Sequence, residues 1–229
     1  TITSTYSRLL DPLYEFPKNS TQPLPSLFPK LQSLGLQVWS DTMQGMLRRA
    51  ARSARLDKQV FREVVEDEGT VLNALGLVVL SGIAMAVGMS GGFGEGAELI
   101  QQTETLTDRL LGIWFAIVSL MVGWVLWASV VLGMGKLFMH GGATYRQIVR
   151  TVGFAFAPCV LLVLMAIEPI SVLIFNLVTV WALVIGVFAI HEAQETDWVG
   201  AALSGFVGWV ICFRLIPAFV LSPFFSGSV

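Results

Sequence analysis

Long, almost uncharged stretches of apolar residues dominate the chain from residue 71 onward. Because about 20 apolar residues in helical conformation cross the ~30 Å hydrocarbon core of a bilayer, each stretch predicts a transmembrane helix. The residue-by-residue alternation typical of barrel strands is not the pattern here. The sequence therefore predicts an all-α, polytopic integral membrane protein built as a bundle of five transmembrane helices. The predicted spans are Val71–Met89, Leu110–Met134, Thr151–Ile167, Ile170–Ile190 and Trp198–Ser222.

A different, amphipathic pattern precedes the first span. With 100° per residue, the apolar side chains between residues 41 and 65 fall within one arc, and four arginines lie opposite them. The apolar set is Met43, Met46, Leu47, Ala50, Ala54, Phe61, Val64 and Val65, with Asp57 as the one polar residue among them. Six basic and two acidic residues between Asp41 and Arg62 favour a helix lying in the plane of an anionic membrane surface.

The basic residues that we assign to membrane-surface binding are Arg48, Arg49, Arg52, Arg55 and Lys58. The alternative is a helix docked on the bundle or on a neighbouring subunit. Residues 1–40 contain five prolines, a composition that favours extended conformation over a packed core. They form either a flexible tail or an extended segment that lies along the membrane surface or along a partner protein. We divide the chain into a proline-rich extension (1–40), an amphipathic in-plane helix (41–68) and the transmembrane domain (69–229).

Composition and charge agree with this picture. The chain is 55% hydrophobic and 13% charged, which excludes a soluble globular domain, a disordered chain and a nucleic-acid-binding protein. Twelve of the 14 Lys and Arg residues lie before the first span or between spans two and three, and basic residues are retained on the cytoplasmic side. We expect a multi-pass protein of the bacterial inner membrane with its N-terminus in the cytoplasm and its C-terminus outside. No cleavable signal peptide is visible, so the first span is expected to be a retained anchor.

Arg214 is the one charged residue inside a predicted span. A charge in this position is a functional-site hypothesis by default. Arg214 lies in the outer half of span five, and Glu168 lies at the outer end of span three, so an ion pair between them is our first interpretation. The alternatives are a guanidinium that reaches the outer headgroups and a role in moving an ion.

Two histidines and one stripe of small residues complete the candidate sites. His140 and His191 fall near the cytoplasmic ends of spans two and four, where imidazole could ligate haem or a chlorophyll-type pigment; interfacial polar contact is the alternative. Gly200, Ser204 and Gly208 recur every fourth residue and predict close helix packing. No spacing forms a nucleophile, a phosphate-binding loop or a carboxylate pair, so we do not expect an enzyme.

Two stretches resemble the Yip (Ypt/Rab-interacting) family of membrane proteins, and in particular its prokaryotic branch. The first is Leu56–Val64, followed by Asp67, Thr70 and Ala74; the second is Gly141–Arg150, which continues into Gly153–Pro158. The resemblance implies five spans, a cytoplasmic N-terminus and no enzymatic residues. Eukaryotic members act with Rab GTPases, but the residues that would carry Rab binding are not present in recognisable form.

The resulting functional expectation is a non-catalytic interaction or organising protein. We expect an accessory subunit of a larger membrane assembly, such as a respiratory or photosynthetic one, with anionic lipids and other membrane proteins as partners and no nucleic acid. The alternative is a small transporter or channel, which would need a polar lining across several spans.

Overall fold

The computed structural model describes residues 43–67, 69–89, 106–138 and 141–218, of which Asp108, Arg109 and Glu168 only by their backbone. Throughout these residues the regular structure is helical, without a strand. The α-helices, in chain order, are α1 (residues 43–54), α2 (Lys58–Glu66), α3 (Thr70–Met89), α4 (Leu106–Phe138), α5 (Tyr145–Phe154), α6 (Ser171–Gln194) and α7 (Trp198–Val210). Two 3₁₀-helices, Ala157–Ala166 and Glu168–Ile170, lie between α5 and α6, and a π-helical turn, Ile211–Leu215, extends α7.

Four helical segments are long and apolar enough to cross a membrane, and they confirm the predicted helical bundle. They are Thr70–Met89, Leu110–Phe138, Ser171–Gln194 and Trp198–Ala218. The bent pair formed by α5 and the 3₁₀-helix Ala157–Ala166 brings the number to five if it counts as one span. The end of the predicted fifth span, beyond residue 218, lies outside the described residues.

The predicted third span, Thr151–Ile167, is not one straight helix. α5 ends at Phe154, and the 3₁₀-helix that follows is bent by 40° relative to it. Pro158 explains the break, because it has no N–H to offer to the carbonyl of Phe154, four residues earlier. Two serines from other helices also lie close to carbonyls at the break: Ser53 Oγ is 3.3 Å from Phe154 O, and Ser81 Oγ is 3.1 Å from Phe156 O. Each hydroxyl also has a shorter hydrogen bond within its own helix, to Ala50 O and Leu77 O.

The amphipathic segment also differs from its prediction, because it forms two helices and not one. α1 ends at residue 54, Leu56 has a left-handed backbone with φ of 60°, and α2 begins at Lys58. Asp57, the misfit on the predicted apolar face, is the N-cap of α2 and accepts a hydrogen bond from Gln59 N at 3.0 Å. A residue that is unfavourable within a helix is favourable at this position.

The centre of the bundle is an aromatic cluster around Trp127 of α4. Its ring lies 6.0 Å from that of Phe156 and 6.1 Å from that of Phe213, and all three side chains are buried. Glycines at two points let helices α6 and α7 approach this ring: a Cβ on Gly186 would come within 2.7 Å of Trp127 Cζ2, and a Cβ on Gly208 would overlap the indole. Small residues therefore make room for the largest buried side chain of the core.

Candidate functional site

The polar groups of the described residues concentrate at one end of the bundle. We call it the polar end: α1, α2, loop 141–144 and turn 195–197. α2 is fastened there by its apolar side, since Val60, Phe61 and Val64 are fully buried. Arg150 of α5 donates from Nη2 to Val65 O at 2.9 Å. α2 thus packs as part of the bundle, as the docking alternative describes, and its apolar face is not available to lipid.

The five basic residues assigned to membrane-surface binding have different surroundings. Arg49 pairs with Asp67 at 2.9 Å, and Arg52 pairs with Asp57 at 2.7 Å and with Glu63 at 2.9 Å. The Arg52 guanidinium, and after it the backbone N–H of Gln59, hold the pKa of the Asp57 carboxyl below its usual range. These pairs join α1 to α2 and to the start of α3.

The other three basic residues, Arg48, Arg55 and Lys58, are exposed and form no ion pair with a described carboxylate. Lys58 Nζ lies 5.7 Å from the centre of the Trp198 ring, in a cation–π arrangement.

An apolar stripe runs beside these cations on the outward side of α1. Met43 and Leu47 are each 51% exposed, and Ala51, one further turn along, is exposed as well. Their spacing of four residues places them on one face, and Arg48 and Arg55 border it. An exposed apolar face bordered by arginine is typical of a helix at a membrane interface or of a contact surface for another protein.

The polar end contains two cavities, one between α2 and the end of α6 and the other between α2, the start of α3 and α5. One, of about 410 Å³, is lined by Arg62, Val65, Glu66, His191, Glu192, Glu195 and Thr196. The other, of about 950 Å³, is lined by Val65, Glu66, Val71, Thr144, Tyr145, Arg146, Gln147 and Arg150. An ion pair borders the smaller one: Arg62 Nε donates to Glu192 Oε2 at 2.9 Å, and the Glu192 side chain is only 8% exposed.

His191 is held in place by two contacts within the protein. Its Nδ1 lies 2.6 Å from Thr196 O, and its ring stacks on Trp198 with 3.9 Å between the ring centres. A ligand to iron or magnesium would therefore have to be Nε2. No group of three His, Cys, Asp or Glu side chains suited to a metal occurs among the residues that the structure describes. His140 lies outside the described residues, so cofactor binding by either histidine stays a prediction.

The Arg214 side chain contacts three described residues, and none of the three is acidic. It donates to Asn176 Oδ1 of α6 at 2.5 Å, and its guanidinium carbon lies 5.2 Å from the centres of both the Phe175 and Trp209 rings. The Glu168 side chain lies outside the described part, so the ion pair stays a prediction. The observed contacts connect the end of the fifth span to α6. The predicted ion pair would connect it to Glu168, just before α6.

The small-residue stripe of α7 lies inside the bundle. Gly200, Ser204 and Gly208 are all buried, and Gly208 faces the indole of Trp127. The Ser204 hydroxyl donates within its own helix, to Gly200 O at 2.9 Å. The stripe therefore contributes to packing within the chain, which leaves its role in contacts to other subunits a prediction.

Four polar residues that the sequence did not single out as sites are structurally important. Ser53 and Ser81 bind the carbonyls at the break after α5. Gln194 is buried and donates to Val131 O at 2.8 Å. Arg150 is 5% exposed and has a buried Nε without a partner among the described residues. In the sequence, an isolated polar residue in or beside an apolar run is the pattern that could have indicated such a structural role.

Comparison with known proteins gives one match. The family model described as Yip1 domain matches residues 57–219, which includes α2 and all the membrane-spanning helices. The match begins at Asp57, the residue that caps α2. No curated protein and no solved structure is similar enough to the chain to match it.

Proposed function

The chain belongs to the Yip family of membrane proteins, and from that premise we propose that it is a non-catalytic organising subunit of a larger membrane assembly. In this proposal the protein holds partner proteins and lipids in place and has no reaction of its own. The outward surface of α1 and the segment preceding it form the contact region.

The observation that carries the proposal is the way in which α1 and α2 are built into the bundle. Fully buried side chains on α2 and ion pairs from Arg49 and Arg52 fix both helices, while Met43 and Leu47 remain exposed on the outside. Holding an apolar stripe rigidly in an exposed position favours a contact surface, because a preorganised surface loses less conformational entropy on binding.

The proposal includes an orientation. Nine of the 14 Lys and Arg residues precede α3, and three more lie between residues 136 and 150. By the positive-inside rule this charge bias supports a cytoplasmic location of the polar end, and the membrane that we propose is the bacterial inner membrane. The α1 stripe would then face the cytoplasmic leaflet and proteins embedded in it.

The test is purification of the native protein in mild detergent, followed by size-exclusion chromatography, mass spectrometry and an absorption spectrum. We expect stoichiometric migration with defined partners, and a coloured complex would identify a respiratory or photosynthetic assembly. In the Leu47→Gln variant the partners should be lost. Leu137→Gln is the matched control, because Leu137 is 76% exposed but lies on α4. Migration of the wild type alone in its micelle would overturn the proposal.

A small transporter or channel is the second candidate, and the interrupted helices favour it. The break after Phe154 makes one span discontinuous, as in many transporters, and the π-helical turn Ile211–Leu215 is an irregular turn within a second, continuous one. The tightly packed aromatic cluster around Trp127 disfavours a path between them. Solute flux into liposomes that contain the purified protein alone would establish this alternative in place of the first.

A further inference from the structure

Arg150 is a buried cation with too few partners. Its side chain is 5% exposed, its Nε has no hydrogen-bond partner among the described residues, and its one hydrogen bond is the one to Val65 O. No described carboxylate forms an ion pair with it. Since an unpaired buried charge is costly, the position favours an anionic ligand that completes the set of hydrogen bonds.

The cavity of about 950 Å³ lies where such a ligand would bind, because Arg150 is one of its lining residues. Arg146 adds a second, exposed guanidinium one turn earlier on α5. The first turn of the same helix also borders the cavity, with its capping box formed by Thr144 and Gln147. Two guanidinium groups and the positive end of a helix dipole match a phosphate group.

The opposite wall of the cavity indicates which kind of molecule carries the phosphate group. Val71, at the start of the membrane-spanning helix α3, lines the cavity, and its neighbour Leu72 is 74% exposed. A lipid with its headgroup in the cavity could therefore extend its acyl chains along the exposed side of α3. Glu66, the acidic residue of this cavity, is exposed at the end of α2 and offers an anion to a positively charged headgroup.

We propose that this cavity binds the headgroup of a zwitterionic phospholipid, with Arg146 and Arg150 on its phosphate and Glu66 facing its primary ammonium. The volume suits such a group, since small-molecule sites enclose roughly 300–1,000 Å³. The site is separate from the α1 stripe, so it stands whether or not the protein is a subunit of a larger assembly.

The test is native mass spectrometry of the full chain released from nanodiscs that contain equal amounts of phosphatidylethanolamine and phosphatidylglycerol. We expect the wild type to retain phosphatidylethanolamine preferentially. Arg146→Gln should lower retention roughly tenfold, the effect expected from losing one charge-assisted hydrogen bond. Glu66→Gln should remove the preference between the two lipids. Arg48→Gln is the control, because Arg48 is an exposed cation on α1 that does not line the cavity.

Arg150→Met tests the buried cation directly, provided that its circular dichroism matches the wild type. If it does not fold, the Arg146 and Glu66 variants decide the question. Equal retention of both lipids by the wild type and all variants would overturn the proposal. Displacement of the lipid by millimolar inorganic phosphate, which has no ammonium group and no acyl chains, would show that a soluble phosphate compound is the occupant, which also overturns it.

Discussion

Replacing Gly208 by alanine should destabilise the bundle, although alanine is the better helix former. The new methyl group would overlap the indole of Trp127. The indole has little room to move, because Gly186 approaches its far side so closely that a Cβ there would lie 2.7 Å from Cζ2, and the rings of Phe156 and Phe213 surround it. Overpacking of this kind costs about 1–3 kcal/mol.

The gain in helix propensity from Gly to Ala, about 1 kcal/mol, offsets part of that cost. The net loss for Gly208→Ala is therefore up to about 2 kcal/mol, which lowers Tm by up to roughly 8 °C in a chain of this size. Gly133→Ala is the matched control, since Gly133 lies within α4 and has no neighbour within 4 Å of its Cβ position. It should raise Tm by about 2–4 °C, because only the propensity term applies.

Thermal unfolding in detergent, followed by circular dichroism, measures both variants. Combining Gly208→Ala with Trp127→Phe should recover most of the loss, since the smaller ring leaves space for the methyl group. A coupling of about 1 kcal/mol between the two sites is expected for residues in direct contact. The reasoning is refuted if Gly208→Ala raises Tm as much as Gly133→Ala does, or if the two substitutions at 208 and 127 are additive.

Two further predictions concern the helix breaks. Ser81→Ala should cost about 1 kcal/mol in thermal unfolding, because the fully buried Ser81 hydroxyl contacts Phe156 O of another segment as well as Leu77 O of its own helix. Ser129→Ala should cost almost nothing, because that exposed hydroxyl donates only within its own helix, and equal effects would contradict a role of Ser81 between the two segments. Arg52 holds the pKa of Asp57 low in the folded protein. The charged Asp57 carboxylate therefore stabilises the fold fully above the pKa of the unfolded chain, about 3.9. This stabilisation is lost as the pH falls through the pKa of the folded protein. The Tm difference between wild type and Asp57→Asn should thus be constant from pH 7 to 5 and disappear in stronger acid; a difference that persists there would contradict this role.

The positions of the spans could be predicted from sequence because bilayer thickness alone sets their length. The predicted start of the fifth span, Trp198, is also where α7 begins in the structure, directly after its N-cap Asp197. Asp197 accepts a hydrogen bond from Gly200 N at 3.3 Å, a local signal that the sequence contains. Hydrophobic length and local capping therefore predict this span well, whereas the third span, predicted in the same way, is broken.

The location of the break in the third span could be predicted from sequence, because Pro158 indicates a kink there, but the distant side chains that contact the break could not. Ser53 and Ser81 are 101 and 75 residues from the carbonyls that they bind. Backbone hydrogen bonds satisfy part of the break, such as the one from Cys159 N to Phe156 O, and the two serines add contacts that sequence separation hides. Arg150 is a similar case: the sequence indicates a cytoplasmic cation, and its burial arises from the packing of α2 against α5.

These contacts make α1, α2 and the broken span one structural unit. α2 provides the carbonyl of Val65 to Arg150, and α1 brings the hydroxyl of Ser53 to Phe154 O, so the middle and the C-terminal end of α5 each contact a segment that precedes the first membrane span. The family match begins at Asp57 and so includes α2 but not α1. The hydrogen bond from Ser53 therefore comes from outside the matched region and completes a helix within it. It follows that the exposed stripe on α1 is connected to the membrane bundle at the break after Phe154, through the contact of Ser53.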